Sequence, residues 1–171
     1  KVWGSVRPAS AEKAQLMAKY KATLTREELD KADSRSGRAI FGRTCAACHR
    51  LFGEGNEIGP DLTGSNRDNL DFILENVIDP NAIVGRDYKL TIVATKDGRV
   101  LSGIVRERFD KALVLQTANE RLTSATEDIE EMKESPVSMM PEGIFDKLTA
   151  DEVRDLVGYL GKASQVPRRD E

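Results

Sequence analysis

The chain has 171 residues, room for one domain or for one domain carrying a sizeable insertion. Its 26 basic and 29 acidic residues leave a net charge of −3, which excludes the basic footprint of a nucleic-acid binder. Hydrophobic residues make up 39% and charged residues 32%, so the chain is polar without the composition of a disordered one. No apolar run is long enough to cross a membrane. The opening KVWGSVRPAS lacks the cationic start and apolar stretch of a signal peptide, although the natural gene could still encode one.

Taken in chain order, Ala11 to Leu24 reads as a polar helix with a weak apolar stripe of Leu16, Met17 and Tyr20. A second helix start follows at Thr25 to Asp30. Asp33 or Ser34 then offers an N-cap, and Gly37, Ile40, Phe41, Thr44, Cys45 and Cys48 recur at helical spacing. Gly53 to Gly64 reads as a glycine-rich loop. Leu70, Ile73, Leu74, Val77 and Ile78 form the clearest amphipathic stripe in the chain, and the Asp79-Pro80 step ends it.

The period then changes. Leu90 to Thr95 is rich in β-branched residues and runs into Asp97-Gly98, a hairpin signal. Val100 to Val105, Ala112 to Thr117 and Arg121 to Ala125 are the further strands expected. The acidic run Glu127, Asp128, Glu130, Glu131 and Glu134 reads as a solvated face, with a docking surface as the alternative. A last helix starts at Thr149, with Glu152 completing a capping box. Val153, Leu156, Val157 and Leu160 are its buried stripe, and Gly161 is its stop. These elements divide the chain into an N-terminal helical extension or linker (1–33), a main domain (34–161) with a β-insertion at about 87–134, and a loose tail (162–171). No internal repeat is visible.

The chemistry concentrates at Cys45-Ala46-Ala47-Cys48-His49, a C-x-x-C-H run of the kind that attaches c-type haem. Two thiols three residues apart face the same way and can add to two vinyl groups along one porphyrin edge. His49 then presents an imidazole to the iron. A disulfide at this spacing would close a tiny loop and staple almost nothing. A thioredoxin-like dithiol prefers a βαβ setting, and this run has no strand before it. A structural zinc site wants four Cys or His ligands, and the chain has two cysteines and one histidine.

The single histidine leaves a methionine, or an open site, for the sixth iron position. Met17 lies in the peripheral N-terminal segment and Met132 among charges. Met139 and Met140 stand in an irregular stretch just before the last helix. Met140 is preferred, because the proline that follows it stiffens the loop. The alternative is that both fill core space.

Further residues resemble a class I monohaem cytochrome c. Gly37 and Phe41 on the helix before the motif, with Leu156, Tyr159 and Leu160 on the last helix, are similar to the family's close helix crossing. Gly59-Pro60-Asp61-Leu62 resembles its proximal loop, and Met140-Pro141 its distal pair. The resemblance implies a mostly α cytochrome c fold around one covalent haem, with a small antiparallel sheet inserted before the distal loop. It implies that the Pro60 carbonyl orients His49, that Leu62 packs on the haem, and that His49 and Met140 ligate the iron. The stretches IGPDLTG, ILENVIDPNAIV, VATKDGRVLSGIV and MMPEGIFDKLTADEVRDLVGYL resemble a narrower group: haem-binding domains with a β-insertion that end large modular bacterial proteins. That resemblance runs over roughly 34–161.

The expected function is one-electron transfer, without catalysis by this chain alone, from a partner dehydrogenase domain or protein. Haem attachment to such a motif implies the periplasm or another extracytoplasmic compartment. Two other readings differ in kind. One is a five-coordinate haem acting as gas sensor or as peroxidase, the latter without a second histidine for acid/base help. The other is a partner-binding module that uses the β-insertion.

Overall fold

In the computed structural model, residues 10–168 are described. The ends of the N-terminal extension (1–9) and of the tail (169–171) lie outside them. The chain divides into two compact units. One holds Ile83–Met140, and the other holds 10–82 together with 141–168 among the described residues.

The second unit is helical. Helix α1 (Ala11–Thr23) is capped by the Ser10 hydroxyl, and α2 (Arg26–Asp30) by Thr25. Helix α3 (Ser34–Thr44) starts at Asp33, whose side chain accepts from the Arg35 and Ser36 N–H groups, satisfying two donors that the first turn leaves unpaired. Helix α4 (Leu70–Ile78) is capped by Asn69. Helix α5 (Ala150–Leu160) carries the full capping box of Thr149 and Glu152. The apolar stripes of α3, α4 and α5 meet in one core. Ile40, Phe41, Leu74, Leu156, Val157 and Tyr159 are each at most 2% exposed there.

The crossing of α3 on α5 is tight because Gly37 has no side chain. A Cβ at that position would stand 2.1 Å from the Asp155 carbonyl oxygen and 2.6 Å from Tyr159 Cβ. The Phe41 and Tyr159 rings pack beside this point with centroids 5.8 Å apart. Residues 162–168 form no helix or strand, yet Tyr159 donates to Gln165 Oε1 at 2.9 Å and Val166 packs on the core.

The first unit is a five-stranded antiparallel sheet, four strands running as a meander and the fifth returning beside the first of them. Its strands are β3 (Lys89–Thr95), β4 (Val100–Arg108), β5 (Ala112–Gln116), β6 (Arg121–Ala125) and β7 (Ile129–Ser138). Val93, Leu113 and Leu115 are its buried centre. Of the described residues, 36% are helical and 25% strand, so the expectation of a mostly α fold is corrected to a mixed one. Part of the difference is β7, a ten-residue strand that no alternation marks, on which Glu130, Glu131 and Glu134 are exposed as a solvated face. It is an edge strand held to β3 through its backbone, so its side chains need no apolar alternation. Lys133 and Pro136 on it are residues that discourage further pairing at an edge.

Candidate functional site

The C-x-x-C-H run does not lie on α3 as its spacing suggested. The helix ends at Thr44, and Cys45 is its C-cap. The N–H groups of both Cys45 and Ala46 go to the Phe41 carbonyl, and those of Cys48 and His49 both go to the Cys45 carbonyl. The helix thus widens and then closes in one further turn. Residues 45 and 48 stay one turn apart, while His49 leaves the turn.

Beyond it, β1 (Arg50–Leu51) and β2 (Glu54–Gly55) make a small hairpin, with Phe52 and Gly53 in the left-handed region at φ 50° and 83°. The hairpin brings the following loop back over the run. Asn56 donates from its backbone to the Ala46 carbonyl at 2.9 Å and from its side chain to that of Ala47 at 3.2 Å. The Gly59 N–H donates to the Cys48 carbonyl at 2.7 Å.

His49 is thereby fixed on two sides. Its Nδ1 lies 2.9 Å from the Pro60 carbonyl oxygen. A carbonyl only accepts, so Nδ1 carries a proton, and in the neutral ring the lone pair is then on Nε2. Gly59 lies flat against the ring: a Cβ there would be 2.6 Å from Cε1 and 2.8 Å from Nδ1. Pro60 stands in the same loop, and Leu62 is half-buried and packed against the helical core. The Leu62 N–H donates to the Arg50 carbonyl at 2.8 Å.

Cys45 and Cys48 are free thiols. Burial pushes both above the ordinary thiol value, with the Thr44 hydroxyl opposing the shift at Cys45. A redox dithiol needs the opposite, a thiolate stabilised near neutral pH. Among the described residues, no three His, Cys, Asp or Glu side chains come together to hold a metal ion. The donor set fits a covalent haem: two uncharged thiols on one turn, an imidazole nitrogen left bare, and half-buried apolar groups alongside.

Arg67 was not singled out in the sequence. It is 8% exposed and donates to the carbonyls of Leu62, Thr63, Leu160 and Lys162, with its guanidinium 4.8 Å from the Phe52 ring centroid. It ties the loop after Pro60 to the end of α5. Burial holds it below the usual guanidinium value. Its partners lie up to 95 residues away, so no local pattern marks it.

The four methionines separate clearly. Met17 packs on the helical core. Met132 is 39% exposed on the sheet and lies 3.6 Å from the Arg108 guanidinium. Met139 and Met140 are half-buried beyond the end of β7, outside any helix or strand, and the Met140 N–H donates to Ser138 Oγ at 3.1 Å.

No helix among the described residues is long and apolar enough to cross a membrane. No curated protein matches the chain. Residues 34–101 match the family model described as Cytochrome c, a domain whose cofactor is covalent haem c, and Cys45 and Cys48 stand at the spacing its attachment needs. That match supports a c-type cytochrome with a haem-binding, electron-transfer role.

Proposed function

We propose that this chain is an electron carrier in which Cys45 and Cys48 hold one haem by thioether links and His49 and Met140 are its axial ligands. The observation that carries the reading is the hydrogen bond from His49 Nδ1 to the Pro60 carbonyl. It fixes the tautomer and ring plane that an Nε2 iron ligand needs, immediately beside two free thiols. Pro60 orients the ligand, and Leu62 offers an apolar contact to the haem face.

When bound, the group supplies a reversible one-electron site. The residues hold it and set its potential through ligand identity and hydrogen bonding. Methionine ligation raises that potential, which suits a carrier accepting electrons from a dehydrogenase domain or protein. A β-sheet unit is what the resemblance of 34–161 to modular bacterial haem domains implies, and the maturation that such a haem requires supports an extracytoplasmic location.

Absorption spectra of the oxidised and reduced protein test the reading. Low-spin bands and the weak far-red band of methionine-to-ferric iron are expected. Met140→Ala should abolish the far-red band, lower the potential and let carbon monoxide bind the reduced form. An unchanged potential would sink the Met140 assignment. A high-spin native spectrum would instead favour a five-coordinate sensor.

A further inference from the structure

Lys13 stands at the centre of a polar cluster that the reading above does not use. Its ammonium lies 2.6 Å from Asp79 Oδ1 and 2.6 Å from Glu142 Oε1. The Asp79 side chain is fully buried, and that of Lys13 is only 18% exposed. Asn81 donates to the same Glu142 oxygen at 2.5 Å. Burial alone would lower the Lys13 pKa, yet its bonds to Asp79 and Glu142 outweigh that and hold it above the ordinary lysine value.

Glu142 is two residues beyond Met140, in a stretch with no helix or strand of its own. Three residues further on, Phe145 is 3% exposed and meets Tyr20 of α1 edge-on, with centroids 5.0 Å apart. Helix α1 therefore grips this stretch twice, by charge at Glu142 and by an aromatic contact at Phe145.

We propose that α1 is a strap on the distal loop, and that Lys13, through Glu142, is the positioning residue that keeps Met140 in place and external ligands off the iron. The proposal rests on the Met140 reading. A loop held by a buried ammonium presents its ligand at low entropic cost. A released loop must be ordered again each time the ligand returns.

The test is imidazole binding to the ferric holoprotein, with the far-red band followed in parallel. Lys13→Met and Glu142→Ala should each raise imidazole affinity about tenfold, the range of couplings carried by packed networks, and weaken the far-red band. Lys13→Arg should restore both. Lys21→Met is the control. It breaks the exposed Lys21–Asp71 pair between α1 and α4, which does not touch the distal loop, and should change affinity by less than about twofold.

Glu142 is 47% exposed, so its variant decides the matter even if Lys13→Met fails to fold. Unchanged affinity in that variant, with Met140→Ala still raising it, would overturn the strap and leave the ligand standing. A far-red band that survives Met140→Ala would overturn both.

Discussion

The contact between Gly59 and the His49 ring sets what a single atom can do at this site. The 2.6 Å approach of a Cβ to Cε1 leaves no room for a methyl group without moving the imidazole, and the ring is held by one hydrogen bond to Pro60. Gly59→Ala should therefore weaken that bond. An imidazole that donates strongly through Nδ1 is a more basic ligand at Nε2, and a more basic ligand favours the ferric state. Losing the bond should raise the reduction potential, read by spectroelectrochemical titration of the purified variant. A potential equal to that of the parent protein, with the same low-spin spectrum, would mean that the ring tolerates the methyl and that Pro60 does not tune it. The residues of this site are legible in the sequence where they are contiguous: Cys45, Cys48 and His49 in one run, Pro60 and Leu62 in another. Asn56, Arg67 and Lys13 are not, because each acts on groups brought close only by the fold, such as Lys13 on Asp79 and Glu142, 66 and 129 positions away.

At the scale of elements, the α3–α5 crossing turns on the same substitution having opposite signs on one helix. Alanine is favoured over glycine in a helix interior by about 1 kcal/mol. At Gly42, where nothing lies within 4 Å of an added Cβ, Gly42→Ala should realise that gain and raise the melting temperature by about 3 °C. At Gly37 the added carbon would meet the Asp155 backbone oxygen at 2.1 Å, and backbone on a packed helix cannot turn aside. Overpacking of that kind costs about 1–3 kcal/mol, enough to outweigh the propensity gain, so Gly37→Ala should melt lower. Equal melting temperatures for the two variants would show that the helices slide apart at no cost. The helices were readable because their signals are local: the stripes of α4 and α5, the Thr149 and Glu152 box, the Asp79-Pro80 stop. The first four strands of the sheet were readable from β-branched runs and the Asp97-Gly98 turn. Strand β7 was not, since Glu130, Glu131, Lys133 and Glu134 give no period, and what makes them a strand is pairing with β3 across 30 to 50 residues of chain. The turn that carries the cysteines was misread as helix for a related reason: a spacing of three fits both, and only the hydrogen bonds to Phe41 and Cys45 separate them.

The whole molecule raises the question of whether the sheet is needed for the helical unit to fold and hold its cofactor. Among the described residues, the helical core is built from side chains of 10–82 and 141–168. Its two chain ends at that break are already joined, since Asn81 donates to Glu142 across it. A short flexible linker replacing 83–137 would then span a small gap at little entropic cost, and would keep Met139 and Met140 next to Pro141. Every large hydrophobic side chain exposed among the described residues, Val100 at 69% and Phe109 at 56% foremost, lies in the excised segment, so the shortened chain also loses its most adhesive surface. We expect it to fold, to take up covalent haem and to retain the far-red band in the oxidised state. Haem incorporation and the oxidised spectrum of the shortened chain check this directly. If it takes up no haem, the helical unit depends on the sheet for its stability, and the sheet cannot be treated as a separable partner-binding device. If haem and spectrum survive but reduction by a dehydrogenase partner is lost, the sheet carries the docking surface, and the acidic and apolar side chains along β7 become the residues to substitute next.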